Sequence, residues 1–191
     1  MKIPALLITA TLFAGVASIT TFSAVASSNS PPTISKPVTF KVITWDALLP
    51  KDWDPFKDFR GQNLGGMNDG NPKALQMMRD LRAAWDNAPT VAAMDGAAVK
   101  LPGYLVPLDE SKEGLKEFLL VPYFGACIHS PPPPANQIVH VVTNKAIKGF
   151  RTMDTIWVSG KLSSQRQDSI MGKSGYRLDA VVVERYVEKR R

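Results

Sequence analysis

Cysteine and histidine are nearly missing from this 191-residue chain, which has one of the first, Cys127, and two of the second, His129 and His140. A single thiol cannot form an internal disulfide. The fold must be held by its apolar core, and Cys127 is left buried, metal-bound, reactive or paired with another molecule. The same scarcity removes whole chemistries: there is no Cys-x-x-Cys pair and no His-Glu-x-x-His helix. A Gly-x-Ser-x-Gly elbow is also missing, and His140 falls inside an apolar run rather than at a strand-to-helix turn, against a Ser/His/Asp enzyme. Gly65, Gly66 and Gly70 have no strand before them and no Lys-Ser/Thr after them, so they read as loop rather than phosphate cradle. Asp46, Asp52, Asp54 and Asp58 lack the spacing and closing glutamate of a calcium loop. They read as solvated surface among Trp45, Trp53 and Phe56, aromatics that could also form a docking patch.

Long uncharged apolar sequence is confined to the start. Met1 and Lys2 precede an almost wholly apolar Ile3 to Val16, and Ala24-Val25-Ala26 offers small residues at the −3 and −1 positions of a cleavage site. Residues 1–26 are therefore expected to be a cleaved secretory signal, with export to the periplasm of a Gram-negative envelope. Thr9, Thr11, Ser18, Thr20 and Thr21 interrupt the run and no charged flank follows it, so no membrane anchor is expected to remain. Cleavage removes one lysine and leaves a mature net charge of +5. Arg185 and Lys189 to Arg191 read as a solvated tail, and an exported protein is not expected to meet nucleic acid.

Residues 27–38 are rich in Ser and Pro without apolar period and read as a disordered leader. A single domain is expected over 39–191, with a helical segment at 39–89 and a barrel at 90–187. Phe40, Val42 and Ile43 before Trp45, Leu48 and Leu49 suit a short strand entering one helical turn stopped by Pro50. Asn71-Pro72 is a cap followed by proline at the first helical position; Leu75, Met78, Leu81 and Trp85 then mark an amphipathic helix of about four turns ending at Asn87 and Pro89, its stripe expected in the core.

From Thr90 the period becomes two. Ile156, Val158, Gly160 and Leu162 share one face of a strand, as do Tyr176, Leu178, Ala180 and Val182 of another. Five such segments, separated by turn residues that include Lys173 to Gly175 and without crossover helices, predict a mainly β fold. The first choice is a small antiparallel β-barrel, like the oligonucleotide/oligosaccharide-binding (OB) fold, with a small β-sandwich as the alternative. Gly103 and Gly160 mark where curved strands bend. The similar endings Tyr104 to Pro107 and Leu119 to Pro122 read as edge strands stopped by proline.

The residues with most chemical content are FGACIHSPPPPANQ, 124–137. Two apart in extended backbone, Cys127 and His129 would point to one side. Pro131, Pro132, Pro133 and Pro134 favour stiff polyproline II geometry, and Asn136 and Gln137 can hold the loop by hydrogen bonds. Three readings stay open. Thiolate and imidazole suit Cu(I) or Zn(II), with His140 as a third ligand and carboxylates or methionines such as Met153 and Met171 to complete the set. A histidine could instead lower the pKa of Cys127 and make it a nucleophile, although no cysteine-protease signature surrounds it. Or the residues only build a rigid loop of an interaction module.

VPYFGACIHSPPPPANQIVHV, with ITWDALLP, LPGYLVPLDE and IWVSGKL, resembles the domain-of-unknown-function 3299 family of bacterial exported proteins over nearly all of the mature chain. The resemblance implies an envelope protein without established activity, some relatives being encoded beside transporter components. It thereby favours a metal ion or an envelope transporter component as partner over catalysis. The expected site is Cys127 and His129 with His140 on Cu or Zn.

Overall fold

The computed structural model describes residues 38–57, 60–61, 70–109, 111–126 and 132–187. Along the chain these form β1 (Lys41–Val42), a 3-10 turn (Trp45–Leu48), α1 (Pro72–Asp86), β2 (Ala98–Pro107), β3 (Leu115–Val121) and a 3-10 turn (Ala135–Gln137). Then follow β4 (Val139–Ile147), β5 (Thr155–Ser163), β6 (Gln167–Ser169), β7 (Gly172–Ser174) and β8 (Tyr176–Arg185).

The strands β2, β3, β4, β8 and β5 hydrogen-bond in that order, and β5 returns to β2 to close a five-stranded OB-like barrel. Round this ring the pairs are antiparallel except β4–β8, which is parallel. Strand direction cannot alternate all the way round a ring of odd number. One parallel pair is therefore a condition of closure.

Period-two alternation delivers the core. Val99, Leu101 and Leu105, Phe118 and Leu120, Val139 and Val141, Ile156, Val158 and Leu162, and Tyr176 and Leu178 meet inside. The segments Tyr104 to Pro107 and Leu119 to Pro122 are not edges. Tyr104 lies opposite Val121 and Val106 opposite Leu119, so their prolines only limit strand length. Lys173 to Gly175, expected to be only a turn, overlap β7, which pairs with β6 to form a hairpin, a separate two-stranded sheet of mostly polar residues.

The N-terminal segment straps the barrel. β1 runs parallel to β2, Trp45 Nε1 donates to the Pro102 carbonyl at 2.7 Å, and Leu48 is fully buried in the core. α1 begins and ends as its caps predict, with Asn71 Oδ1 accepting from the Lys73 N–H at 2.9 Å. Its apolar stripe, however, is not core. No residue of α1 is fully buried, and Leu75 and Met78 are 47% and 50% exposed. The core cluster is built by strand side chains with Ile43 and Leu48, and no residue of the helix belongs to it. Among the described residues it meets the rest of the fold at its C-terminal end: Trp85 meets Phe56 edge-on at 6.2 Å, and Arg166 donates to the Asp86 carbonyl at 2.6 Å and to Asn87 Oδ1 at 3.0 Å.

Candidate functional site

Alternation that sends Val139 and Val141 inward turns His140 outward, yet its side chain is only 3% exposed. A second apolar cluster on this outer face explains the burial. It consists of Val106, Leu119, Val121, Ala126 and Ile138, with Tyr104, Leu108, Met153 and Met171 against it. Register sets Val106, Leu119, His140 and Arg177 in one row across four strands.

His140 Nε2 lies 3.1 Å from Glu117 Oε2. An ionised carboxylate only accepts, so with Glu117 ionised the proton of this bond sits on Nε2, and whenever the ring is neutral the lone pair is then at Nδ1. Nδ1 is buried and has no hydrogen-bond partner among the described residues. The backbone at Glu117 is itself held: Asp109 Oδ1 accepts the N–H of Glu117 at 2.9 Å and that of Lys116 at 3.3 Å. A histidine anchored by a carboxylate through one nitrogen, with the other free, is the usual arrangement of a metal-binding imidazole.

Cys127, His129 and Pro131 lie outside the described residues. The chain on both sides of them is fixed. Before them, Gly125 takes a left-handed backbone (φ +83°) and its N–H donates to Met153 Sδ at 3.4 Å. Phe124 is edge-on to Tyr104 at 5.9 Å, and Ala126 is buried in the outer cluster. After them, Pro133 is buried and Pro134 is in polyproline II geometry (φ −57°, ψ 150°) ahead of the turn Ala135–Gln137. Buried Asn136 donates from Nδ2 to the Pro89 carbonyl at 3.0 Å, and Gln137 Nε2 donates to the Trp45 carbonyl at 3.2 Å. The Gly175 N–H bonds the Ala135 carbonyl at 2.6 Å.

Among the described residues no three His, Cys, Asp or Glu side chains converge as a metal-binding group. Of the expected ligands, His140 is thus placed at the outer cluster with one nitrogen free. Glu117 was not foreseen. Its only signal is a charge at the head of the apolar run EFLLV, and linking it to His140 requires the β3–β4 register. Met153 and Met171 are visible in the sequence only as methionines; the fold packs both on the cluster that also holds Ala126.

Comparison with known proteins adds three findings. The family described as "Protein of unknown function (DUF3299)" matches residues 45–185. The chain is similar to a DUF3299 family protein from Pseudomonas aeruginosa PAO1 of known crystal structure, at 35% identity and a TM-score of 0.59, over 80% of this chain and 100% of that one. A small single-stranded DNA-binding protein from Streptomyces coelicolor is a far weaker likeness, with 13% identity and a TM-score of 0.31 over 49% of this chain and 96% of that one. No curated protein matches the chain.

Proposed function

The chain belongs to the DUF3299 family, and we propose that it is an exported binding protein of the cell envelope that holds Cu(I) or Zn(II) through Cys127, His129 and His140. The observation that carries this reading is His140: almost wholly buried, with Nε2 3.1 Å from Glu117 Oε2 and Nδ1 without a hydrogen-bond partner among the described residues. Burying a polar nitrogen without a partner is unfavourable, and a metal ion would remove that cost. Covalent continuity supports the partners. Cys127 follows Ala126 by one peptide unit, and Ala126 packs with Leu119, the strand neighbour of His140. The apolar start of the sequence supports export, and with it a role in receiving or handing on a metal outside the cytoplasm.

Titration of the reduced mature protein with Zn(II) and with Cu(I), against chromophoric competitors, tests the proposal. One equivalent should bind. Cys127→Ser and His140→Ala should each weaken binding beyond the roughly 10- to 100-fold typical of losing a residue that merely orients a ligand. Binding that survives both substitutions, or that never occurs at micromolar metal, refutes it.

A further inference from the structure

We propose that the parted end of the β4–β8 seam is a docking groove, filled by an extended acidic segment of another polypeptide that adds as a strand to β8. The proposal does not depend on the metal reading above.

The groove follows from how the ring closes. β4 and β8 pair in parallel from Val139 opposite Tyr176 to Thr143 opposite Ala180, and no further. Both strands run on, β4 to Ile147 and β8 to Arg185. β8 keeps its other partner, with Val182 opposite Ser159 and Arg185 opposite Ile156 of β5. Val181 has no residue of β5 opposite it, because Val182 pairs with Ser159 and Ala180 with Gly160. Such an extra residue is a bulge, which bends its strand, and it sits where β8 leaves β4. From Val181 to Arg185 β8 therefore presents an edge of backbone N–H and C=O groups to which no strand among the described residues pairs. An edge of this kind is a template for strand addition.

An open cleft of about 380 Å³ lies between the two strands, with residues 143–147 on one wall and Ala180, Val181 and Val183 on the other. Two features say what fits it. The β8 edge carries uncovered apolar side chains: Val181 is 69% and Val182 40% exposed. Alternate side chains of an added strand would lie along them. The charge is of one sign. Among the described residues Lys145 is the only ionisable group lining the cleft, and Lys148 lines the adjoining one, which shares Ile147. Neither lysine forms an ion pair among the described residues, whereas the β8 carboxylates Asp179 and Glu184 are taken by Arg177 and Lys100. An incoming carboxylate is the complement of this wall. A second copy of this chain, with a net charge of +6 and the same lysines, is not.

The test is NMR titration of the isotope-labelled mature protein with a synthetic peptide, acetyl-Glu-Val-Thr-Val-Glu-Val-amide. Amide resonances of residues 143–147 and 180–185 should shift, and hydrogen exchange of Val181 to Arg185 should slow. A counterpart with lysine in place of glutamate should bind about tenfold or more weakly. Of two versions N-methylated at odd or at even positions, one should lose binding and the other keep it, because only alternate N–H groups of a strand meet the edge. Lys145→Glu with Lys148→Glu, both at exposed positions, should reverse the preference between the acidic and the lysine peptide. No shifts at about 1 mM peptide, equal affinity for the acidic and lysine peptides, or equal behaviour of the two N-methylated versions overturns the proposal. Shifts of the same residues with protein concentration alone would make the occupant a second copy, and would overturn it as well.

Discussion

Tyr176→Phe is expected to destabilise the fold by about 2–4 kcal/mol, because one hydroxyl satisfies two backbone groups, at Leu48 and at Val91. Tyr176 is fully buried; its OH donates to the Leu48 carbonyl at 2.9 Å and accepts the Val91 N–H at 2.6 Å. Phenylalanine fills the same space but leaves an inward carbonyl and an N–H without partners, each costing about 1–3 kcal/mol. In a domain of this size that corresponds to a drop in Tm of roughly 5–12 °C.

The same hydroxyl gives the difference a pH signature. Burial raises the Tyr176 pKa, opposed in part by the Val91 N–H. The folded state therefore keeps this proton more tightly than the unfolded chain does. Its contribution is complete below the ordinary tyrosine value of about 10 and is lost as pH rises through the higher folded value. Thermal melts of wild type and variant should show a constant gap through pH 9 that narrows above pH 10. A gap that holds at pH 11 would mean that Tyr176 does not titrate as placed.

Gly160→Ala is expected to cost on the order of 3 kcal/mol or more, at the upper end for overpacking. The added Cβ would run into the Asp179 carbonyl oxygen and sit 2.9 Å from Ala180 Cα, both of them backbone of β8. Neither can move without opening the β5–β8 seam, where the register already shifts between Ser159 and Gly160. Gly149→Ala separates space from backbone strain. Gly149 has φ +79° with nothing near its Cβ direction, so only the left-handed penalty of about 1–2 kcal/mol applies. Equal losses for the two variants in urea unfolding would contradict close packing at Gly160.

Both sites bear on what the sequence could disclose. Alternation in TIWVSGKL and GYRLDAVVVERYV is local, so it names the inward residues Ile156, Val158, Leu162, Tyr176 and Leu178 without any knowledge of pairing. Gly103 and Gly160 stand out because glycine weakens a strand unless another backbone comes close, and at both a Cβ would meet neighbouring-strand atoms. The caps of α1 are equally local, and Asn71 and Asn87 bound it. Where α1 packs is not local. A stripe of Leu75, Met78, Leu81 and Trp85 reads the same whether or not a surface awaits it, and the barrel provides none for Leu75 and Met78.

The candidate site divides along the same line. Cys127, His129 and the prolines declare themselves by rarity and spacing, although Cys127, His129 and Pro131 lie outside the described residues. Glu117 and His140 stand 23 residues apart and become partners only through the β3–β4 register. The outer cluster is likewise a product of topology, since its members come from β2, β3 and the chain on either side of residues 127–131. Two rows of apolar residues on one strand, as in Leu119, Leu120 and Val121, are its only trace: a strand buried on both faces loses its alternation.

Metal binding through His140 requires a particular state of one ring, and long-range nitrogen NMR of the imidazole observes it directly. In the metal-free protein Nε2 should carry the proton toward Glu117 and Nδ1 should be bare; one equivalent of Cu(I) or Zn(II) should move the Nδ1 resonance and leave the Nε2 proton in place. A proton on Nδ1, or an Nδ1 signal indifferent to both ions, contradicts ligation by His140.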